Sequence, residues 1–320
     1  MRKLVLIAAV VGALAFAWFA FGWYGSAAVE KDTAFTVPDG ATLTSVAGKL
    51  EEEGLIGSKS AFLLRAKILG SGDPVQKGEF EIPAGASAAT ILDTLQHGIT
   101  IRRFVTVPEG LPSIMVYERL MAESLLTGPI PVPEEGSVLP DTYDFERGEA
   151  RVKVLARMQA AMKNYLAEAW SKRKPGIAVS TPKEALTLAS IVEKETGVAS
   201  ERRMVAGLYS NRVKQGMPLQ ADPTIIYPIT KGKPLGRRIR QSEIAAVNGY
   251  NTYTMSGLPN GPITNPGRES IAAVLDPAKT QALFMVADGK GGHVFGNTLA
   301  EHNENVRKWF EIRRARGEMD

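Results

Sequence analysis

The stretch Thr181 to Gly197, TPKEALTLASIVEKETG, decides how the rest of the chain is read. Thr181 is an N-cap residue type, Pro182 stands at the first helical position, and Glu184 follows the cap by three, completing a capping box. Gly197 is placed to end the helix. At about 100° per residue, the bulky side chains Leu186, Leu188, Ile191 and Val192 have a mean direction roughly 25° from Glu195 and about 135° from Glu193. Glu195 is therefore expected to turn toward apolar packing. Desolvation there, and the negative end of the helix dipole, both favour the protonated carboxyl that a general acid requires. Spacing alone leaves a plainer and commoner arrangement open, with both glutamates as solvated helix-end residues paired with Lys194 or a nearby Arg.

Toward the amino end lies a second amphipathic helix, whose apolar stripe is Val154, Leu155, Met158, Ala161, Met162, Tyr165 and Leu166. It is expected to stop at Lys172-Arg173-Lys174, where basic charge suits the dipole, and at the breakers Pro175 and Gly176. Further back, three segments open alike: Phe35-Thr36-Val37-Pro38-Asp39-Gly40, Phe80-Glu81-Ile82-Pro83-Ala84-Gly85 and Phe104-Val105-Thr106-Val107-Pro108-Glu109-Gly110. Each reads as a short strand ending in a Pro-x-Gly turn. After the first turn, Leu43, Val46, Ala47 and Leu50 follow the rule for one buried helix face. The repeat is too short and irregular for a solenoid. A small sheet-and-helix module is expected instead.

Leu4 to Tyr24 carries no charged side chain, and a helix of that length reaches about 31 Å, enough to cross the apolar core of a bilayer. Arg2 and Lys3 precede it, and Trp18, Trp23 and Tyr24 lie toward its far end, so the short basic tip is expected in the cytoplasm and the remainder outside. A cleaved signal peptide is the alternative, with Gly25, Ser26, Ala27 and Ala28 as cleavage-site residues. The apolar stretch exceeds the roughly 7 to 15 residues of a signal core, which favours an uncleaved anchor.

Beyond residue 215, Pro218, Pro223, Pro228, Pro234, Pro259, Pro262 and Pro266 divide the chain into what reads as short loops and strands rich in Asn, Thr, Tyr and Gly. Such surfaces commonly bind polar ligands. The 320 residues suggest two folded units at roughly 150 residues per domain. The absence of cysteine excludes disulfides, thiolate zinc sites and thiol nucleophiles. With 38 basic against 34 acidic side chains the net charge is +4, too small an excess to imply nucleic acid. His97, His293 and His302 are too scattered to suggest a metal site, and no cofactor is expected. The expected architecture is α+β throughout: a tip and membrane helix at 1–27, a small α+β module at 28–100 and a larger α+β domain at 101–320.

The block Leu188-Ala189-Ser190-Ile191-Val192-Glu193-Lys194-Glu195-Thr196, followed by Asn211-Arg212, Leu219-Gln220-Ala221-Asp222-Pro223-Thr224 and Tyr227, resembles the endolytic murein transglycosylases, the MltG or YceG-like family. The blocks Asn251-Thr252-Tyr253, Gly257-Leu258-Pro259, Pro262 to Gly267, Val286 to Phe295, Pro140-Asp141-Thr142-Tyr143 and His302-Asn303 look like the same family's blocks, in its order. Leu139 departs from the pattern, which usually has an aromatic residue there. The resemblance implies a single-pass inner-membrane protein with a LysM-like module and a periplasmic or extracytoplasmic catalytic domain. Its partners would be peptidoglycan glycan strands, the membrane and peptidoglycan synthases.

It also implies Glu195 as the catalytic acid. Glu195 would protonate the MurNAc–GlcNAc glycosidic oxygen and then deprotonate the muramyl C6 hydroxyl, closing a 1,6-anhydro ring without water. Around it, Gln220, Asp222 and Thr224 either bind acetamido and hydroxyl groups or stabilise the turn at Pro223. Tyr227 and Tyr253 offer flat faces to sugar rings or are ordinary half-buried tyrosines. Asn251 and Asn265 either contact substrate or cap loops. Two alternatives stand beside this reading: a two-carboxylate muramidase with Glu193 or Asp222 as partner, and a non-catalytic peptidoglycan-binding scaffold.

Overall fold

The fold is described from a computed structural model, in which residues 2–25 and 29–318 are described. The candidate cleavage residues Ser26, Ala27 and Ala28, and with them the expected boundary at 27, lie outside those residues. In chain order the elements are α1 (Arg2–Tyr24), β1 (Thr33–Val37), α2 (Leu43–Glu52), α3 (Lys59–Leu69), β2 (Gly78–Ile82), α4 (Ala88–His97), β3 (Arg103–Thr106), α5 (Ser113–Ala122), β4 (Thr142–Phe145), α6 (Arg151–Ser171), α7 (Pro182–Glu195), α8 (Arg202–Lys214), α9 (Asp222–Thr230), α10 (Gln241–Ile244), α11 (Arg268–Leu275), β5 (Phe284–Ala287), β6 (His293–Gly296) and α12 (Leu299–Ala315). Helices and strands are mixed along the chain, an α+β arrangement.

Two compact units emerge: Met1–Arg103 with Asp144–Gly148, and Phe104–Tyr143 with Glu149–Asp320. In the first, β1 and β2 pair antiparallel with Phe35 opposite Phe80. Both rings are fully buried, with Val46, Ala47 and Leu50 of α2 and Ile91, Leu92 and Leu95 of α4. Each strand runs into a tight turn whose glycine is left-handed: Gly40 at φ 73°, Gly85 at 71° and, after β3, Gly110 at 71°. Any side chain is strained there, which explains the recurrence of Pro-x-Gly. Glu79 on β2 is almost wholly buried and receives Arg103 at 2.7 Å and Arg147 at 3.0 Å. That pairing ties Asp144–Gly148 to this unit. The end of α1 joins the same core: Trp23 is 2% exposed against Phe62, and the Arg65 guanidinium donates to the Phe19 carbonyl. The rest of this 23-residue helix leaves large apolar side chains from Leu4 to Phe21 exposed.

The second unit is built around α7, which packs against α6, α8, α9 and α11. Ala185, Leu188, Ala189, Ile191 and Val192 of α7 are fully buried with Val205, Ala206 and Leu208 of α8 and Ile271, Ala273 and Val274 of α11. Leu139 is buried in this cluster without an aromatic ring, its carbonyl accepting the Tyr143 hydroxyl at 2.7 Å. The stripe of α6 buries Val154, Leu155, Met158 and Met162. Strands β5 and β6 pair antiparallel with Val286 opposite Val294, and α12 lies against them.

Between Pro218 and Pro266, where loops and strands are expected, the chain forms the two helices α9 and α10. Pro223 sits in the first turn of α9, where a missing N–H is harmless, so its presence does not argue against a helix. Pro228 lies inside the nine residues of α9, near an end that Lys231 closes in the left-handed conformation.

Candidate active site

Helix α7 starts at the Thr181 cap its sequence implies, but the expected capping box is not closed on Thr181. The Thr181 side chain accepts from the Glu184 N–H at 3.1 Å, and the Glu184 carboxylate reaches back to the Ser180 N–H at 2.6 Å. Its end falls at the expected place, with Gly197 directly after the C-cap although not in the left-handed conformation. Thr196 in extended conformation terminates it, one residue before Gly197, so Glu195 is the last helical residue. Glu193 is not a solvated end: its carboxylate accepts the Gly267 N–H at 2.9 Å and so holds the start of α11. Ser190, fully buried on the same helix, accepts the Ile263 N–H at 3.0 Å. One face of α7 therefore pins the long loop before α11 while Glu195 projects elsewhere.

Glu195 opens into a cleft of about 320 Å³ lined by Leu208, Tyr209, Arg212, Leu219, Gln220, Asp222, Tyr253, Met285 and His302. Burial is the main cause that pushes its carboxyl up to about 7, with the nearby negative charge of Asp222 acting in the same direction. Two groups oppose the shift: the Tyr209 hydroxyl, which hydrogen-bonds the carboxyl, and the Arg212 guanidinium. The result is an acid that is protonated below neutrality yet has two partners ready for its ionised form.

Arg212 is only 7% exposed, and no carboxylate lies within salt-bridge distance of it among the described residues. Its donors go instead to the carbonyls of Leu283 at 2.6 Å, Pro218 at 3.1 Å and Leu219 at 2.9 Å, and to Gln220 Oε1 at 3.3 Å. The cage keeps a full positive charge beside Glu195. Gln220 itself is left-handed, at φ 51°, a strained conformation for a residue with a Cβ. His302 stacks on Phe284 at 5.1 Å, and burial together with Arg212 lowers its pKa. Its Nδ1 is buried without a partner among the described residues, so the neutral ring with its proton on Nε2 avoids stranding a donor.

Of the residues expected at the site, Glu195, Gln220, Asp222 and Tyr253 come together in this cleft. The Tyr253 hydroxyl donates to Asp222 Oδ1 at 2.6 Å. Thr224, Asn251 and Asn265 do not line it, and the expectation of direct ligand contact is corrected for these three. All are 0% exposed, with their polar atoms engaged inside the protein. Thr224 meets the Thr252 hydroxyl at 2.8 Å and donates to the Ala221 carbonyl. Asn251 donates to the carbonyls of Ile244 and Ala246 and accepts the Tyr253 N–H at 3.0 Å. Asn265 accepts the Val138 N–H and donates to Leu111. Buried amides are favoured as loop staples because unpaired they would be costly. Tyr227 also lies outside this cleft, its ring 4.8 Å from Tyr250 and its hydroxyl bonded to the half-buried Glu135. His293 pairs with Glu201 at 2.9 Å and is likewise not in the lining.

Tyr209, Arg212 and His302 were not singled out as site residues from sequence. The signal that could have found two of them is a tyrosine and an arginine three apart on α8, which places both on one face.

The model of the YceG-like family matches residues 35–308. An endolytic murein transglycosylase of Bacillus subtilis (strain 168) is 29% identical over 318 residues, covering 88% of this chain and 87% of that protein. An endolytic murein transglycosylase of Streptococcus pneumoniae is 28% identical over 326 residues, 87% of this chain but 58% of the relative. A 2.6 Å crystal structure of a YceG-like protein from Listeria monocytogenes shares 25% identity and a TM-score of 0.52, over 86% of this chain and 99% of that one.

Proposed function

The chain belongs to the YceG-like family, and on that footing we propose that it is a membrane-anchored endolytic peptidoglycan transglycosylase with Glu195 as its acid. What carries the reading is the Glu195 carboxyl: it is held near neutrality in a polar cleft, with Tyr209 and Arg212 positioned to receive its ionised form. In the reaction, Glu195 gives its proton to the oxygen between MurNAc and GlcNAc, and the C1–O bond breaks. The muramyl C6 hydroxyl then attacks C1, and its proton returns to Glu195. The product ends in 1,6-anhydroMurNAc and no water is consumed. Because the attacking hydroxyl belongs to the same sugar ring, its effective concentration is high and one carboxyl suffices for both proton transfers.

The apolar helix α1 serves in this reading as a single-pass inner-membrane anchor with the tip in the cytoplasm. The first unit acts as a LysM-like glycan-binding module, and cleavage close to the membrane ends the growth of nascent strands. Peptidoglycan synthases are the natural partners of such an activity.

One observation keeps a hydrolytic muramidase in view, namely a second carboxyl, Asp222, in the same cleft. Glu193 does not qualify for that role, being engaged with Gly267. Mass spectrometry of peptidoglycan digested by the full-length protein in detergent, beside Glu195→Gln, separates the readings. Internal cuts ending in anhydromuramic acid, and lost in the variant, are expected. Reducing ends would establish the muramidase, and intact glycan beside folded protein would point to a scaffold.

A further inference from the structure

We infer that Asp222 acts as the electrostatic partner of Glu195: a carboxylate, oriented by Tyr253, that stabilises the positive charge developing at the muramyl C1 while Glu195 moves the proton. The inference rests on the transglycosylase reading and assigns the second carboxyl a task within it.

The two carboxyls line one cleft but stand in different surroundings. Glu195 is largely covered and close to the buried Tyr209, whereas Asp222 is exposed and is the first residue of α9, where the positive end of the helix favours a negative charge. Carboxyls whose environments differ in this way divide into a proton carrier and an ionised stabiliser. The charge of Asp222 reaches Glu195, since it is one of the causes that raise the Glu195 carboxyl.

The orientation of Asp222 is also built. Oδ1 takes the Tyr253 hydroxyl at 2.6 Å, and Oδ2 has no hydrogen-bond partner among the described residues. Tyr253 is in turn fixed through its backbone N–H by Asn251, an amide with no exposed surface. The other side of the turn is stitched down by the Gln220 N–H to the Thr252 carbonyl at 3.0 Å and the Ala221 N–H to the Thr252 hydroxyl at 3.1 Å. Buried polar groups are thus spent on holding one tyrosine and one aspartate at the cleft wall.

The balance of the reaction leaves Asp222 without covalent work. The glycosidic pair of electrons leaves with the departing oxygen, Glu195 supplies and recovers the proton, and the C6 hydroxyl forms the new bond. The group missing from that account is one that faces the cationic ring between bond breaking and ring closure. A carboxylate already in place meets that charge without reorganisation.

The test uses full-length protein in detergent, purified peptidoglycan, and the variants Asp222→Asn and Tyr253→Phe. Asp222→Asn should lower kcat about 100-fold with little change in KM, the scale seen when one preorganised electrostatic group is removed. Its residual product should still carry anhydro ends. The descending limb of its pH profile should move to lower pH, because Glu195 loses a negative neighbour while Tyr209, Arg212, Tyr253 and His302 still face it. Tyr253→Phe should lower kcat less and leave the melting temperature unchanged. Wild-type kcat in both variants, or lost activity with an unmoved pH limb and a lowered melting temperature, would overturn the inference. So would a glycosyl ester on Asp222 with reducing ends, which would make it a nucleophile. A wild-type protein that produces no anhydro ends would sink the transglycosylase reading itself, and this inference with it.

Discussion

The direction of Glu195 was legible in the sequence because helical phase is a property of neighbouring residues, while its choice as the acid came from the family resemblance. The side chains that set the direction, Leu186 to Val192, are within reach of simple geometry, and the structure turns Glu195 away from Glu193 as that geometry requires. The remaining cleft residues were less legible. Their chain positions range from Leu208 to His302, and an Asn or Thr that faces a ligand has the same sequence appearance as one that staples a loop. Asn251, Asn265 and Thr224 proved to be staples, while Gln220 and Asp222, a few residues from Thr224, reach the cleft. At this scale the pH dependence has a definite sign. Activity that needs protonated Glu195 should be full below about 7 and decline as pH rises through that value. Tyr209→Phe removes a hydrogen bond that favours the carboxylate, so its descending limb should move to higher pH, opposite to the shift expected for Asp222→Asn. Rate profiles of the variants side by side check both directions.

Both ends of α7 were readable because caps are local, although Gly197, directly after the Thr196 cap, is not left-handed. Helix α9 was hidden by its prolines: two in nine residues read as a breaker unless the first is recognised as a helix start. The contributions of α7 to stability can be separated by mutation. Thr181→Ala removes an exposed cap and should cost about 1 kcal/mol. Ser190→Ala leaves the Ile263 N–H buried without an acceptor and should cost more, up to about 3 kcal/mol. It should also lower activity by loosening the loop toward Ile263. Thermal or denaturant unfolding of both variants gives the order, and a larger loss in Thr181→Ala would contradict the importance assigned to the buried bond.

For the whole molecule, mixed α+β character and an amino-terminal apolar helix follow from patterns visible in sequence. The excursion of Asp144–Gly148 into the first unit does not, because it depends on Arg147 finding Glu79, a pairing 68 residues apart in the chain. The anchor proposal yields its own expectation. Full-length protein should stay with membranes through high salt and alkaline carbonate, with an intact mass that includes residues 1–25. Release as a shortened soluble chain would mean that the helix is a signal. If the anchor also limits how far the active site reaches, a flexible insertion after residue 25 should lengthen the released glycan, and unchanged product lengths would remove that idea. Trp23 adds a further consequence. Its indole is at once in the last turn of α1 and in the core of the first unit, so α1 cannot slide along the membrane normal without drawing an aromatic ring out of packed surroundings. A shift of one residue is about 1.5 Å along the helix, and if α1 is the proposed anchor, the folded module would act as a depth stop that sets how far the helix sinks into the bilayer.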